Sequence, residues 1–189
     1  MKFKSLFLLS WVVLVLEGCA LDARNATSVE IQQAIKSESA TTPYHRVWSA
    51  PPLLVSHFRT RFYGYDTVDY HLSASQSGQS SSPTLYHLKV DANYGGLPRH
   101  YDLAKSTNSS QYPAYKPRHE TLRCQFFGDM QDACLYRDRL DFELSLAELE
   151  AGRHSGMTLT LASADNKEYE QIDLPPAYID GFLAVIQSP

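Results

Sequence analysis

The chain reads as a mainly β protein, an antiparallel sheet or β-sandwich carrying a short capping helix and a C-terminal amphipathic helix. Three observations predict this. Three separate runs alternate apolar and polar residues with a period of two, the mark of strands with one buried face. Polar stretches rich in Ser, Gly, Pro and Asn punctuate the chain between such runs. Within the expected domain, helical spacing falls in two places, one behind a capping box and one behind a Pro pair. With 189 residues, 43% hydrophobic and 20% charged, the chain is long enough for one domain with a true core and too apolar to be disordered throughout. Its formal net charge of −4 speaks against nucleic acid as a partner, since phosphate binding needs clustered Lys and Arg.

The N-terminus comes first. Met1, Lys2, Phe3 and Lys4 form a charged start, and Leu6 to Leu16 is apolar except for Ser10. This stretch is too short to span a bilayer and reads as a secretory signal, residues 1–18. Leu16-Glu17-Gly18-Cys19 follows directly and resembles the lipobox of bacterial lipoproteins, with Glu17 departing from the small or apolar residue usual there. That resemblance implies cleavage before Cys19, lipidation of its thiol and acylation of its freed amine. It also implies an outer-membrane address, because Ala20 stands where many inner-membrane lipoproteins carry Asp. Two or three acyl chains anchor firmly, at roughly 0.8 kcal/mol per buried CH₂. The competing reading is an ordinary cut after Gly18-Cys19-Ala20, which would release a soluble secreted protein.

Residues 19–43 are mostly polar, with a short apolar pattern at Val29, Ile31 and Ile35 that could make one or two turns of helix, and read by default as a lipidated tether. The folded domain is expected over 44–189. Its first run sets Leu54, Ser56, Phe58, Thr60 and Phe62 against Val55, His57, Arg59, Arg61 and Tyr63. The second sets Val68, Tyr70, Leu72 and Ala74 against Thr67, Asp69, His71 and Ser73. The third sets Tyr86, Leu88, Val90 and Ala92 against His87, Lys89 and Asp91. Ser75 to Pro83 reads as a hairpin loop centred near Gln79, a further strand is expected around Leu97 to Leu103, and Ser106 to Arg118 reads as a second polar loop. Thr121 to Leu144 reads as a hairpin turning at Gly128-Asp129, with Leu122, Cys124 and Phe126 facing Cys134, Tyr136, Leu140, Phe142 and Leu144. That centre sets Cys124 opposite Cys134, close enough for a disulfide worth about 3 kcal/mol on the chain-entropy model. Ser145-Leu146-Ala147-Glu148 is a capping box opening a helix that Gly152 can end. A hairpin follows, from Met157 to Leu174, and Pro175-Pro176 opens a final helix bearing Tyr178, Ile179, Phe182, Leu183 and Ile186.

Chemistry-bearing residues are few. His57, His71 and His87 fall on the polar parity of three runs, where with Asp69 or Asp91 they could share a metal ion or serve a hydrolytic enzyme. Asp138 is the one charged residue on the apolar parity of its run, which marks either a bulge or a buried carboxylate in need of a partner. No G-x-S-x-G elbow occurs, and Asn93-Tyr94-Gly95-Gly96 lacks the helix start of a phosphate cradle, so no cofactor is expected and an enzyme is the less favoured reading. Tyr63, Tyr65, Tyr94, Tyr101, Tyr112 and Tyr115 are placed in or beside loops, where exposed rings would give contact area for glycan or protein. The expected role is therefore that of an outer-membrane-anchored periplasmic lipoprotein, a binding or scaffolding module with an envelope protein or peptidoglycan as partner. The rival is an envelope metal-binding protein or hydrolase built on the His-bearing sheet face.

Overall fold

The computed structural model describes residues 21–39, 45–60, 64–77, 83–107, 109–124, 134–165 and 167–188. The order of elements is α1 (Ser28–Ala34), β1 (Lys36–Ser39), β2 (His45–Ser49), β3 (Leu53–Thr60), β4 (Gly64–Ser77), β5 (Leu85–Gly96), β6 (Tyr101–Ser106), β7 (Gln111–Pro113), β8 (Arg118–Cys124), β9 (Cys134–Leu144), α2 (Leu146–Ser155), β10 (Met157–Ser163), β11 (Glu168–Leu174) and α3 (Pro176–Ile186). The protein is mainly β, and every strand pairing is antiparallel. A seven-stranded sheet runs β1-β2-β4-β5-β9-β8 with β3 beside β4, and a four-stranded sheet runs β11-β10-β6-β7. One continuous core joins the sheets and the helices.

The even-numbered residues of β4 and β5 build that core: Val68, Tyr70, Leu72 and Ala74, then Tyr86, Leu88, Val90, Ala92 and Tyr94 are all buried. β9 adds Leu140, Phe142 and Leu144 at the register these demand. In β3 the expected faces are exchanged. Leu53 is buried and Val55 half-buried, while Leu54 and Phe58 are exposed, because β3 pairs Leu53 with Tyr70 and Val55 with Val68.

β2 and β3 share one edge of β4, separated by Ala50, Pro51 and Pro52. Two prolines cannot donate to a ladder, so the edge must break there. Ala50 N still reaches Leu72 O at 2.9 Å, and the Tyr178 hydroxyl from α3 fills the gap that follows. It donates to Pro51 O at 2.8 Å and accepts from Leu72 N at 3.2 Å.

The segment expected to be a tether belongs to the fold over its described residues. Thr27 and Glu30 form a capping box for α1, Ile31 is fully buried, and Ser28 Oγ donates to Asp180 Oδ2 of α3 at 2.7 Å. Arg24 Nη2 donates to the Tyr70 hydroxyl at 3.0 Å. Its polar composition concealed this because a single buried Ile and a glycine in the partner helix suffice for the contact. The loop expected over 106–118 holds the short strand β7, paired with β6, and the strand expected at 97–103 begins at Tyr101. The helix expected to stop at Gly152 continues to Ser155 and is ended by Gly156, whose φ of +76° suits glycine.

Cys124 and Cys134 pair across β8 and β9 and are joined by a disulfide. The apolar face expected at Leu122 does not form. A bulge between Thr121 and Arg123 shifts the register, leaves Leu122 exposed and reverses the facing of the residues before it. The irregularity expected at Asp138 thus lies on the partner strand, and Asp138 itself continues the regular inward parity of β9.

Candidate functional site

Two clusters of polar side chains result, one inside the molecule and one on the outer face of the large sheet. The inner one starts from Asp138, 1% exposed, whose Oδ2 accepts from the Tyr94 hydroxyl at 2.9 Å and from Tyr101 N at 3.0 Å. His119 faces it because of the bulge in β8. Its Nδ1 stands 3.0 Å from Asp138 Oδ1 and its Nε2 3.3 Å from Asp102 Oδ1. A neutral imidazole can donate to one of these carboxylates, an imidazolium to both. Beside this group the buried Arg99 pairs with Asp66, donates to the Tyr101 hydroxyl at 2.8 Å and stacks over the Tyr94 ring at 4.6 Å. Gly95 N also donates to Asp66, at 3.1 Å. Burial drives the Tyr94 hydroxyl's pKa well up from its ordinary value, and the Tyr101 hydroxyl is pushed up to about 12 for the same reason. Through these hydrogen bonds the cluster ties β4, β5 and β9 of the large sheet to β6 of the small one.

The outer cluster is open to solvent. Strand registers align two cross-sheet rows on the face opposite the core. One row reads Asp69, Asp91, Arg139, Arg118 across β4, β5, β9 and β8. The other reads His71, Lys89, Asp141, and beyond it the segment after β7 is fastened by Tyr115 N donating to Asp141 O at 2.7 Å. Together with Val90, Leu140 and Lys116 these residues line a groove of about 640 Å³. Tyr115 is 65% exposed at its rim, with Lys116 Nζ 5.0 Å from the ring centroid. Lys116 takes a φ of +48°, which turns the chain sharply before Arg118 enters β8.

Charges in the groove are unevenly matched. Asp91 is held by Arg137, whose Nε donates at 2.8 Å, and Asp141 by His87, whose Nδ1 lies 2.7 Å away. Arg139 contacts Glu120 at 3.2 Å. Lys89, Lys116 and Arg118 form no salt bridge among the described residues. Partial burial and the neighbouring Asp91 raise the pKa of Asp69, while burial and then the charge of Lys89 lower that of His71.

The three histidines are not brought together. His57 shares the inward parity of Leu53 and Val55, and its Nε2 meets Glu170 of β11 at 2.8 Å. His71 and His87 lie on the opposite face of the sheet, where His71 faces Lys89 and His87 faces Ser73. The β4–β5 register is centred one residue beyond Gln79, so each partner moves by two and the facing is unchanged. Among the described residues no group of three or more His, Cys, Asp or Glu is placed to hold a metal ion.

Of the tyrosines, Tyr115 alone is shown on an exposed loop. Tyr94 is 2% exposed inside β5, Tyr112 is 8% exposed with its hydroxyl donating to Glu148 at 2.6 Å, and Tyr101 is fully buried. Tyr65 is the second residue of β4, its side chain outside the described region, and Tyr63 and Cys19 lie outside the described residues. Nothing in the sequence marks Arg118, Lys116 and Lys89, because solitary surface cations carry no motif. Strand register brings Arg118 and Lys89 to one face, and the turn after β7 adds Lys116.

Fold and groove together define a two-sheet antiparallel β domain with a charged concavity on one outer face. Comparison of the chain with protein-family models, with curated proteins and with solved structures finds no match. No helix among the described residues is long and apolar enough to cross a membrane.

Proposed function

We propose that this protein is an outer-membrane-anchored periplasmic lipoprotein, held by lipid on Cys19, that serves as a binding module through the outer groove of its large sheet. The observation that carries the binding role is the groove itself, a concavity of about 640 Å³ on a rigid sheet with an exposed Tyr115 at its rim. Side chains on strands hold their positions better than those on free loops, which suits recognition without chemistry. The lipobox-like Leu16-Glu17-Gly18-Cys19 supports the anchor, and the Cys124–Cys134 disulfide supports an oxidising compartment such as the periplasm.

Anchor and groove are tested separately. Cys19→Ser should move the protein from the membrane fraction to the soluble periplasm, and continued membrane attachment would refute the lipid anchor. A photo-crosslinking residue at position 115 should capture envelope material that the same residue at the exposed Gln171 of β11 does not. Equal capture at both positions, or none at 115, would remove the groove as a contact surface.

A further inference from the structure

We propose that the groove binds a carboxylate-bearing sugar, of the kind a peptidoglycan strand presents where its stem peptides have been removed; this inference rests on the groove being the binding surface. Three features of the site select that chemistry. The first is charge. Asp91 and Asp141 are already met by Arg137 and His87, whereas Lys89, Lys116 and Arg118 have no carboxylate partner among the described residues. The site therefore offers unmatched cations to an anion. Asp69 and Asp91 in the same floor would repel a polyanion such as nucleic acid, so a ligand with isolated carboxylates fits better than one with a charge on every unit.

The second feature is the aromatic rim. Tyr115 presents a largely exposed ring with Lys116 on one side, and a flat ring of this kind packs against the C–H face of a pyranose while nearby polar groups take its hydroxyls. The third is length. Asp69 to Arg118 spans four adjacent strands, about 14 Å at the ordinary inter-strand spacing, which suits a disaccharide rather than a single sugar. At the β4 end, Asp69 can accept from hydroxyls or an amide N–H. His71, its pKa lowered, presents an uncharged imidazole there at neutral pH.

Calorimetric titration of the full-length protein in detergent tests this with two probes, the disaccharide of N-acetylglucosamine and N-acetylmuramic acid, and chitobiose, which has closely similar rings but no carboxylate. The acidic disaccharide should bind about tenfold tighter, with the difference shrinking as salt is raised. Lys89→Gln and Arg118→Gln, both exposed and free of salt bridges, should each weaken the acidic disaccharide about fivefold and leave chitobiose unchanged. Tyr115→Ala should weaken both. Equal affinity for the two probes, no binding of either, or insensitivity to Lys89→Gln and Arg118→Gln would overturn the assignment. Capture of a protein at position 115 while neither sugar binds would also overturn it, leaving the binding module intact. Absence of both capture and sugar binding would remove the two readings together.

Discussion

Asp138 illustrates how much a single buried residue can depend on its neighbours. Its carboxylate takes hydrogen bonds from the Tyr94 hydroxyl and Tyr101 N, and faces His119. Asp138→Leu keeps a side chain of similar size but removes every acceptor that these buried donors use. Leaving buried donors unmatched costs about 1–3 kcal/mol each, so an overall loss of about 3 kcal/mol is expected in urea unfolding. A loss below about 1 kcal/mol would show that the cluster is not a determinant of stability. The residue looked from its sequence position like a slip in the alternation, since a lone Asp among apolar residues carries no mark of where its donors come from. Those donors are contributed by β5 and β6, distant along the chain, and by the preceding strand β8, whose bulge turns His119 toward Asp138.

At the scale of elements, the three helices are held by close approach. A Cβ added to Gly181 of α3 would stand 2.5 Å from the Ser28 carbonyl oxygen and 2.8 Å from Ile31 Cβ. Backbone cannot give way cheaply, so Gly181→Ala should push α1 outward and cost about 2 kcal/mol, exceeding the gain of roughly 1 kcal/mol that Ala brings to a helix. Gly152 of α2 is the natural comparison, because an added Cβ there would clash with the terminal Cδ1 of Ile179, at 2.7 Å, and otherwise meet Met157 Cβ at an ordinary 3.8 Å. Rotation of that side chain relieves the clash, so Gly152→Ala should be nearly neutral. Thermal melts of both variants, with hydrogen exchange at residues 28–35, decide the matter. Equal effects at the two glycines would contradict the tight α1–α3 contact. The same contact explains why residues 21–39 are more than a tether.

At the scale of the whole molecule, buried tyrosines bind the layers and set a limit on the alkaline side. Tyr94, Tyr101 and Tyr178 are buried, and burial raises their pKa values from an ordinary value of about 10, in the case of Tyr101 to about 12. In that window the folded state keeps protons that the unfolded chain releases. Their contribution to stability is therefore complete below pH 10 and lost as the pH rises toward 12. Melting temperature should fall steeply over this range, together with late tyrosinate absorbance. Ionisation of all the tyrosines near pH 10 with the fold retained would contradict it. The strands of the core, the disulfide and the helices α2 and α3 are legible in the sequence because each depends on local periodicity or a short spacing. The groove is legible only in part: strand parity marks His71, Asp69 and Asp91 and a loop position marks Tyr115, but nothing marks the cations that join them. A shift of two residues in register, or one bulge, leaves the hydrophobic pattern almost untouched yet changes which charges become neighbours. The sequence by itself thus determined which residues are buried in most strands, since burial follows a period that each strand carries within it. Only the tertiary structure decided which polar residues meet, because that depends on pairings between segments far apart in the chain.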